Sequence, residues 1–221
     1  SPSLPTNVAS MFLAIHPSTT VANLPSSSFD ASSAVSTASL YSNDSHIRSD
    51  CLVFIISAAP SPYARKVRIV LHEKGIPFEL ETTVPWNADT VTGHHNPLGK
   101  IPILIPDGPG PQGGEPVFES SYILEWLEVH HPSPAMMPTD PIERLAARRL
   151  EVVGDGVCDA FVLHFFEMKR APEHRSAAWL DRQFRKITGG MAELERLVPE
   201  TGFCVGGQFG LGDIAAVCTA D

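Results

Sequence analysis

Ser61 is followed by Pro62, and the pair stands between a short β-branched run, Leu52 to Ile56, and a segment with helical spacing. Serine is favoured just ahead of a helix and proline as its first residue. A hydroxyl at that place lies beside unsatisfied backbone N–H groups and the positive end of the helix dipole, a setting that suits an anion. Ser61 would serve such an anion as a hydrogen-bond donor, not as a base. Taken alone, Ser-Pro is more often a plain helix cap. Glu119-Ser120 holds a similar position ahead of a later helix, and alone it reads as a Ser120 cap beside a solvated Glu119. Gly99-Lys100-Ile101-Pro102 reads, alone, as the entry to a strand. Asp155 and Asp159 stand at i and i+4 on one helix face, where like charges call for a compensating neighbour. Gly154 and Gly156 flank them, each costing about 1 kcal/mol in a helix interior, which points to close approach by the first domain or a ligand. Interdomain hydrogen bonding is preferred over catalysis for this stretch. Tyr63, Phe161, Phe165 and Trp179 could line an apolar pocket, although aromatic residues at helical spacing are commonly core.

Other chemistries find no support. His94-His95 and His130-His131 lack the i, i+4 spacing of a helical zinc pair, and no acidic cluster accompanies them. Cys51, Cys158, Cys204 and Cys218 contain no C-x-x-C pair, so neither a zinc ribbon nor a dithiol centre is read. A metal site is therefore not expected, and there is no GxGxxG or P-loop for a nucleotide.

The elements that must position these residues follow from periodicity. Leu52 to Ile56 reads as a buried strand, and Val67, Val70 and Leu71 with a Lys74-Gly75 stop define the helix that Ser61 opens. Phe78 to Thr82 is a second strand. Val84 to Asn96 is irregular, with one short helix. Ile101 to Ile105 and Pro116 to Phe118 form a hairpin across a Pro- and Gly-rich turn. A helix follows, with Ile123, Trp126, Leu127 and His130 on one face, closed by His131-Pro132. The order is βαβ, then ββα. After a proline-rich linker, Thr139 with Glu143 opens a helical half. Ile142, Ala146, Leu150, Val153, Val157 and Ala160 mark the stripe of one long helix; Leu180, Phe184, Ile187, Met191, Leu194 and Val198 mark that of an antiparallel second. Arg170 to Glu173 makes the break, and a last helix begins near Leu211.

The 221 residues carry 16 Lys+Arg against 25 Asp+Glu, a formal charge of -9, so a broad positive field for nucleic acid is not expected. No apolar stretch approaches the roughly 18 residues that cross a bilayer, so no membrane partner is expected. Cysteine usage fits a reducing, cytoplasmic setting. Residues 1–50 hold 18 Ser or Thr and a single basic residue, Arg48. That composition reads as a disordered extension, with no secretory or transit pattern. Three regions result: the extension at 1–50, an α/β domain at 51–131 and an all-helical domain at 138–221.

Ser61-Pro62-Tyr63-Ala64-Arg65-Lys66-Val67-Arg68, Asn96-Pro97-Leu98-Gly99-Lys100-Ile101-Pro102-Ile103-Leu104 and Phe118-Glu119-Ser120, in this order and spacing, resemble the cytosolic glutathione transferases. The likeness spans about 170 residues and is greatest to bacterial members with serine at the active-site position, which share an Asp-Gly-x-x-x-Asp-Ala stretch like Asp155 to Ala160. The resemblance implies a thioredoxin-like domain with a mixed four-stranded sheet that binds glutathione, then an all-helical domain that admits a small apolar electrophile. It implies that Ser61 stabilises the thiolate. The main chain of Ile101, before a cis Pro102, would pair with the cysteinyl portion, and Lys100 would meet the glycyl carboxylate. Glu119 and Ser120 would hold the γ-glutamyl group, with Tyr63, Asp155 and Asp159 near the electrophile. Glutathione is then a co-substrate, the protein a homodimer and its role detoxification. A non-catalytic glutathione-binding or protein-interaction module of the same fold is the alternative. Thiol-disulfide exchange would want cysteine at position 61.

Two departures from the family pattern carry expectations. Where relatives have Ser/Thr-x-x-Asp opening a buried helix, this chain has Gly210-Leu211-Gly212-Asp213, which leaves Asp213 without its reciprocal serine. The sequence also stops within that helix, as a truncated helical domain would, and an exposed apolar face near Ile214 and Val217 is expected if it is complete.

Overall fold

A computed structural model describes residues 53–88, 90–108 and 114–220. The expected extension and the interior of the hairpin turn at 109–113 lie outside them. The first unit comprises β1 (Val53–Ser57), α1 (Pro62–Glu73), β2 (Phe78–Thr82), α2 (Thr92–His95), β3 (Ile103–Pro106), β4 (Val117–Phe118) and α3 (Ser120–His130). The second holds α4 (Pro141–Lys169), a 3₁₀ turn (Pro172–His174), α5 (Ala177–Leu197) and α6 (Leu211–Ala220). The sheet order is β2-β1-β3-β4, with β1 parallel to β2 and antiparallel to β3, and β3 antiparallel to β4.

Alternation along the strands divides the core between the two faces of the sheet. Val53, Ile55, Leu104 and Val117 pack with Val67, Val70 and Leu71 of α1 and Ile123, Leu124 and Leu127 of α3. Ile56, Ile103 and Ile105 point the other way, with Phe54, Val91 and Phe118. β2 is an edge strand whose Glu79 and Glu81 discourage further pairing. Gly75, at φ 64°, ends α1 in the left-handed conformation that glycine adopts without strain.

Several details differ from the sequence reading. α4 is opened by Asp140, not Thr139: its carboxylate accepts from Ile142 N at 2.9 Å and Glu143 N at 3.0 Å, and Pro141 takes the first helical position. The buried stripe of α4 is shifted in phase, running through Ala147, Leu150, Glu151, Gly154, Val157 and Cys158, while Ile142 stands 73% exposed. Phe184 of α5 is likewise exposed. Gly154 admits Thr219 Oγ1 of α6, so the close approach comes from within the helical unit, and Gly156 meets nothing within 4 Å.

The face expected to be bare at Ile214 is buried. Leu211, Ile214 and Cys218 of α6 join the core that holds Val67, Val70 and Leu71, so α6 is the apolar link between the units. Asp213, 1% exposed, does not lack partners: it accepts from Cys204 N at 2.8 Å and from Gly210 N at 3.0 Å, the backward half of a capping box. Glycine replaces the usual serine because the carbonyl of Met136, which accepts from Leu211 N at 2.8 Å, would lie 2.8 Å from any Cβ on residue 210. Gly210→Ser should therefore lower the unfolding free energy by about 1–3 kcal/mol through overpacking, although serine is ordinarily the better cap. Thermal and urea unfolding of the variant measure this, and an unchanged or raised midpoint would show that the carbonyl can move aside.

Candidate active site

Strand register brings the three separated stretches together. Ile56 pairs with Ile103 and Ile103 with Phe118, so the end of β1, the residues before β3 and the end of β4 meet at one end of the sheet. Ser61, Ile101, Glu119 and Ser120 follow or precede those positions by a few residues. Thr83 N donates to Ser57 O at 2.9 Å, which starts the loop carrying Trp86 at the same end of the sheet.

Ser61 caps α1, its Oγ accepting from Ala64 N at 3.2 Å. The cap uses an oxygen lone pair and leaves the hydroxyl proton free to donate elsewhere, so the capping and anion-binding readings are compatible. The Ile101–Pro102 bond is cis. Asn96, 2% exposed, shapes the turn before it by donating from Nδ2 to Lys100 O at 2.9 Å and accepting from Leu98 N at 2.9 Å. The N–H and C=O of Ile101 take no hydrogen-bond partner among the described residues. Lys100 is exposed and Pro102 buried.

Glu119, not Ser120, is the cap of α3: its carboxylate accepts from Tyr122 N at 3.1 Å. Glu119 has φ 75°, a left-handed conformation that costs a non-glycine residue about 1–3 kcal/mol and clusters at functional sites. That turn brings the buried Ser120 to the first helical position, with its Oγ 3.5 Å from Glu119 Oε1. Local sequence gives no sign of positive φ at a glutamate.

The second unit closes the site through α4. Tyr63 donates to Asp159 Oδ1 at 2.6 Å. Burial, then that hydrogen bond, push the Tyr63 hydroxyl above the ordinary phenol range. Asp155 turns both oxygens to Lys66 Nζ, at 2.7 and 2.8 Å, so it docks the units and is not an open pocket residue. Phe161 and Phe165 are exposed on α4 and Trp179 on α5. Trp86, which sequence reading did not single out, meets Phe166 edge to face with ring centroids 5.3 Å apart.

Lys66 is the residue most misplaced by its sequence context: within an Arg-Lys-x-Arg stretch it is 2% exposed, and it also binds Glu151 at 3.1 Å. Arg148 bonds Glu151 and Glu125, and Arg144 bonds Glu125 at 2.7 Å. Arg144, Glu125, Arg148, Glu151, Lys66 and Asp155 thus form a chain of alternating charge between α1, α3 and α4. Burial opposes the charge of Lys66, but Asp155 and Glu151 outweigh it and hold the ammonium above its usual range. Burial pushes the carboxyl of Asp155 up against the pull of Lys66. Among the described residues no three His, Cys, Asp or Glu side chains converge as metal ligands would, and no helix is long and apolar enough to cross a membrane.

A thioredoxin-like mixed sheet with an anion-favouring helix start, joined to a helical unit that closes over it, defines a two-domain thiol-handling scaffold. Residues 60–130 match the glutathione S-transferase N-terminal domain and residues 177–221 the C-terminal domain. A glutathione S-transferase of Methylobacterium radiotolerans, solved with glutathione sulfonate, is 57% identical, with a TM-score of 0.71 and 76% of each chain covered. One from Methylobacillus flagellatus with glutathione bound is 34% identical, with a TM-score of 0.68, covering 76% of this chain and 80% of that one. The Escherichia coli GST-like protein YibF is 38% identical over 141 residues, 64% of this chain and 67% of its own. The chain belongs to the glutathione S-transferase family.

Removing the ammonium of Lys66 strands Asp155 in the domain interface and leaves Glu151 to Arg148 alone. Lys66→Met should cost about 3–5 kcal/mol of unfolding free energy near neutral pH. The Asp155 carboxyl, already raised by burial, then lacks the opposing pull of Lys66 and has a folded pKa above its unfolded one, so the deficit belongs to pH above the unfolded carboxylate range and shrinks as pH falls toward it. Denaturant unfolding of wild type and variant across pH measures the difference; a pH-independent gap would mean that the carboxylates find other partners.

Proposed function

We propose that the protein conjugates glutathione to small apolar electrophiles. A thiol with pKa near 8.5 is mostly protonated at neutral pH, so the site must favour the thiolate by donors and positive potential. Ser61 donates its hydroxyl to the sulfur, and the amino end of α1 adds its dipole. The thiol proton passes to solvent. The sulfur lone pair forms a bond to the electrophilic carbon while the displaced electron pair leaves with the departing group or, in an addition, the π pair of the activated double bond moves onto the activating group, which then takes a proton from solvent.

The tripeptide lies across that end of the sheet. The main chain of Ile101, set by Pro102, pairs with the cysteinyl unit as an added strand. Lys100 meets the glycyl carboxylate. Glu119 accepts from the γ-glutamyl ammonium, while Ser120 and the α3 amino end hold its carboxylate. Residues 51–131 thus bind glutathione, residues 138–221 cover the electrophile, and Tyr63 and Asp159 border it. The observation that carries this reading is the convergence of Ser61, Ile101 and Glu119-Ser120 through strand register. No metal is required by this chemistry. A homodimer in the cytoplasm completes the proposal: Tyr122 and Val129 on α3, with Leu145 and Val152 on α4, are exposed apolar side chains on the outer faces of adjacent helices, and Cys158, Cys204 and Cys218 are free thiols.

Ser61→Ala should reduce kcat roughly a hundredfold, the typical loss when one donor to a developing anion is removed, while glutathione still binds. Thiolate absorbance of the bound tripeptide, titrated against pH, should show the thiol pKa displaced upward in the variant. Full turnover by Ser61→Ala would remove Ser61 from this role. Calorimetry with glutathione separates the enzyme from an empty scaffold, and turnover across several electrophiles separates it from a silent binder.

A further inference from the structure

Asn96 is 2% exposed although it stands beside the exposed Pro97 and Leu98. Burying a primary amide costs free energy unless its groups are paired, and here both are. Nδ2 donates to Lys100 O and Oδ1 accepts from Leu98 N, each at 2.9 Å. One partner is a carbonyl and the other an N–H, so the amide fits only one way round. The main chain of Asn96 is held as well: its N donates to Thr92 O at 2.8 Å, and its carbonyl accepts from Gly99 N at 2.9 Å. An ordinary Asx turn needs only the bond to the N–H two residues on. The bond to Lys100 O is additional, and it falls on the peptide unit that carries the Ile101 N–H.

The peptide between Lys100 and Ile101 is trans. In a planar trans peptide the C=O and the N–H point in opposite directions. Tying Lys100 O to a buried side chain therefore turns the Ile101 N–H the other way, where it has no partner among the described residues. We infer that Asn96 is a positioning residue for glutathione: it aims the Ile101 N–H at the carbonyl oxygen of the cysteinyl unit without itself touching the tripeptide. The inference rests on the glutathione transferase reading. Lys100 O has no second partner among the described residues, so without Asn96 Nδ2 the peptide plane is free to rotate and the N–H loses its aim. A hydrogen bond weakens steeply as its angle closes, which makes the direction of this one donor a condition of binding.

The probes are the S-methyl forms of glutathione, γ-glutamylcysteine and γ-glutamylcysteamine, which carry no thiol to ionise. γ-Glutamylcysteine lacks the glycine but keeps an acceptor oxygen on the cysteinyl unit, whereas γ-glutamylcysteamine lacks that oxygen too. Calorimetry gives their affinities for wild type, Asn96→Ala and Asn96→Leu, the last close to asparagine in volume. Each variant should bind the glutathione and γ-glutamylcysteine probes about five- to tenfold more weakly than wild type, as loss of one well-directed hydrogen bond would, and the cysteamine probe within about twofold of wild type. A proportional loss on all three probes would show that Asn96 only holds the fold, and unchanged affinities that the N–H needs no aiming; either overturns the inference. Wild type alone supplies a second check, without any variant having to fold. S-methylglutathione should slow amide hydrogen exchange at Ile101 by about tenfold or more, and the cysteamine probe should leave it unchanged. Binding of S-methylglutathione that leaves Ile101 exchanging freely overturns the inference, while the glutathione site stands. If neither glutathione nor its S-methyl form binds, both readings fall.

Discussion

The alternating chain Arg144–Glu125–Arg148–Glu151–Lys66–Asp155 fixes how the two units meet. Three cations and three carboxylates balance, so the interface carries charge without excess. Buried pairs of this kind add little net stability over well-packed apolar groups, yet breaking one is costly because the remaining charge stays buried. What they contribute is direction. The apolar contact of Leu211, Ile214 and Cys218 with Val67, Val70 and Leu71 holds the units together but tolerates sliding, since hydrophobic attraction has no preferred angle. Charge-assisted hydrogen bonds at two points along α1 and α3 set the register of α4, and that register decides which α4 residue stands beside Ser61.

A second ionic anchor governs the connection between the units. Lys74, with a fully buried ammonium, donates to His131 O and Pro134 O at 2.7 Å each and pairs with Glu128 at 2.7 Å. Glu128 in turn accepts from Met136 N at 3.1 Å. The proline-rich stretch that reads as a linker is thus clamped at the C-terminal end of α1. The clamp places Met136 where its carbonyl receives Leu211 N, so the linker also seats α6. The carbonyl of Met136, placed by the clamp, crowds residue 210, and this is why that position carries no side chain.

Local signals sufficed where one element decides its own form. The Ser61-Pro62 start, the Gly75 stop, β2 and the break at Arg170 to Glu173 were all legible, because capping, proline and periodicity act within a few residues. The four-stranded order was reachable only through the family likeness, since pairing partners are set by packing over long separations. The failures share one cause. The phase of α4 slipped because Glu151, a charged residue, belongs to the buried stripe while Ile142 does not. Nothing in the sequence around Lys66 marks it as buried, because its partners lie 85 and 89 residues away. The positive φ of Glu119 is imposed by the passage from β4 into α3, not by anything in its own neighbourhood of sequence.

Ser61 illustrates why a structural and a functional reading of one residue need not compete. A hydroxyl oxygen has two lone pairs and one proton; the helix claims one lone pair through Ala64 N and makes no claim on the proton. Capping therefore fixes the rotamer and aims the remaining donor, at no cost to its availability. A cysteine at the same place would surrender this arrangement, because sulfur is a weak acceptor and the thiol a weak donor. Its chemistry would turn to its own nucleophilicity instead of support for another thiolate. On the proposed reading, serine at the head of α1 can only support another thiolate, whereas a cysteine there would itself be the nucleophile.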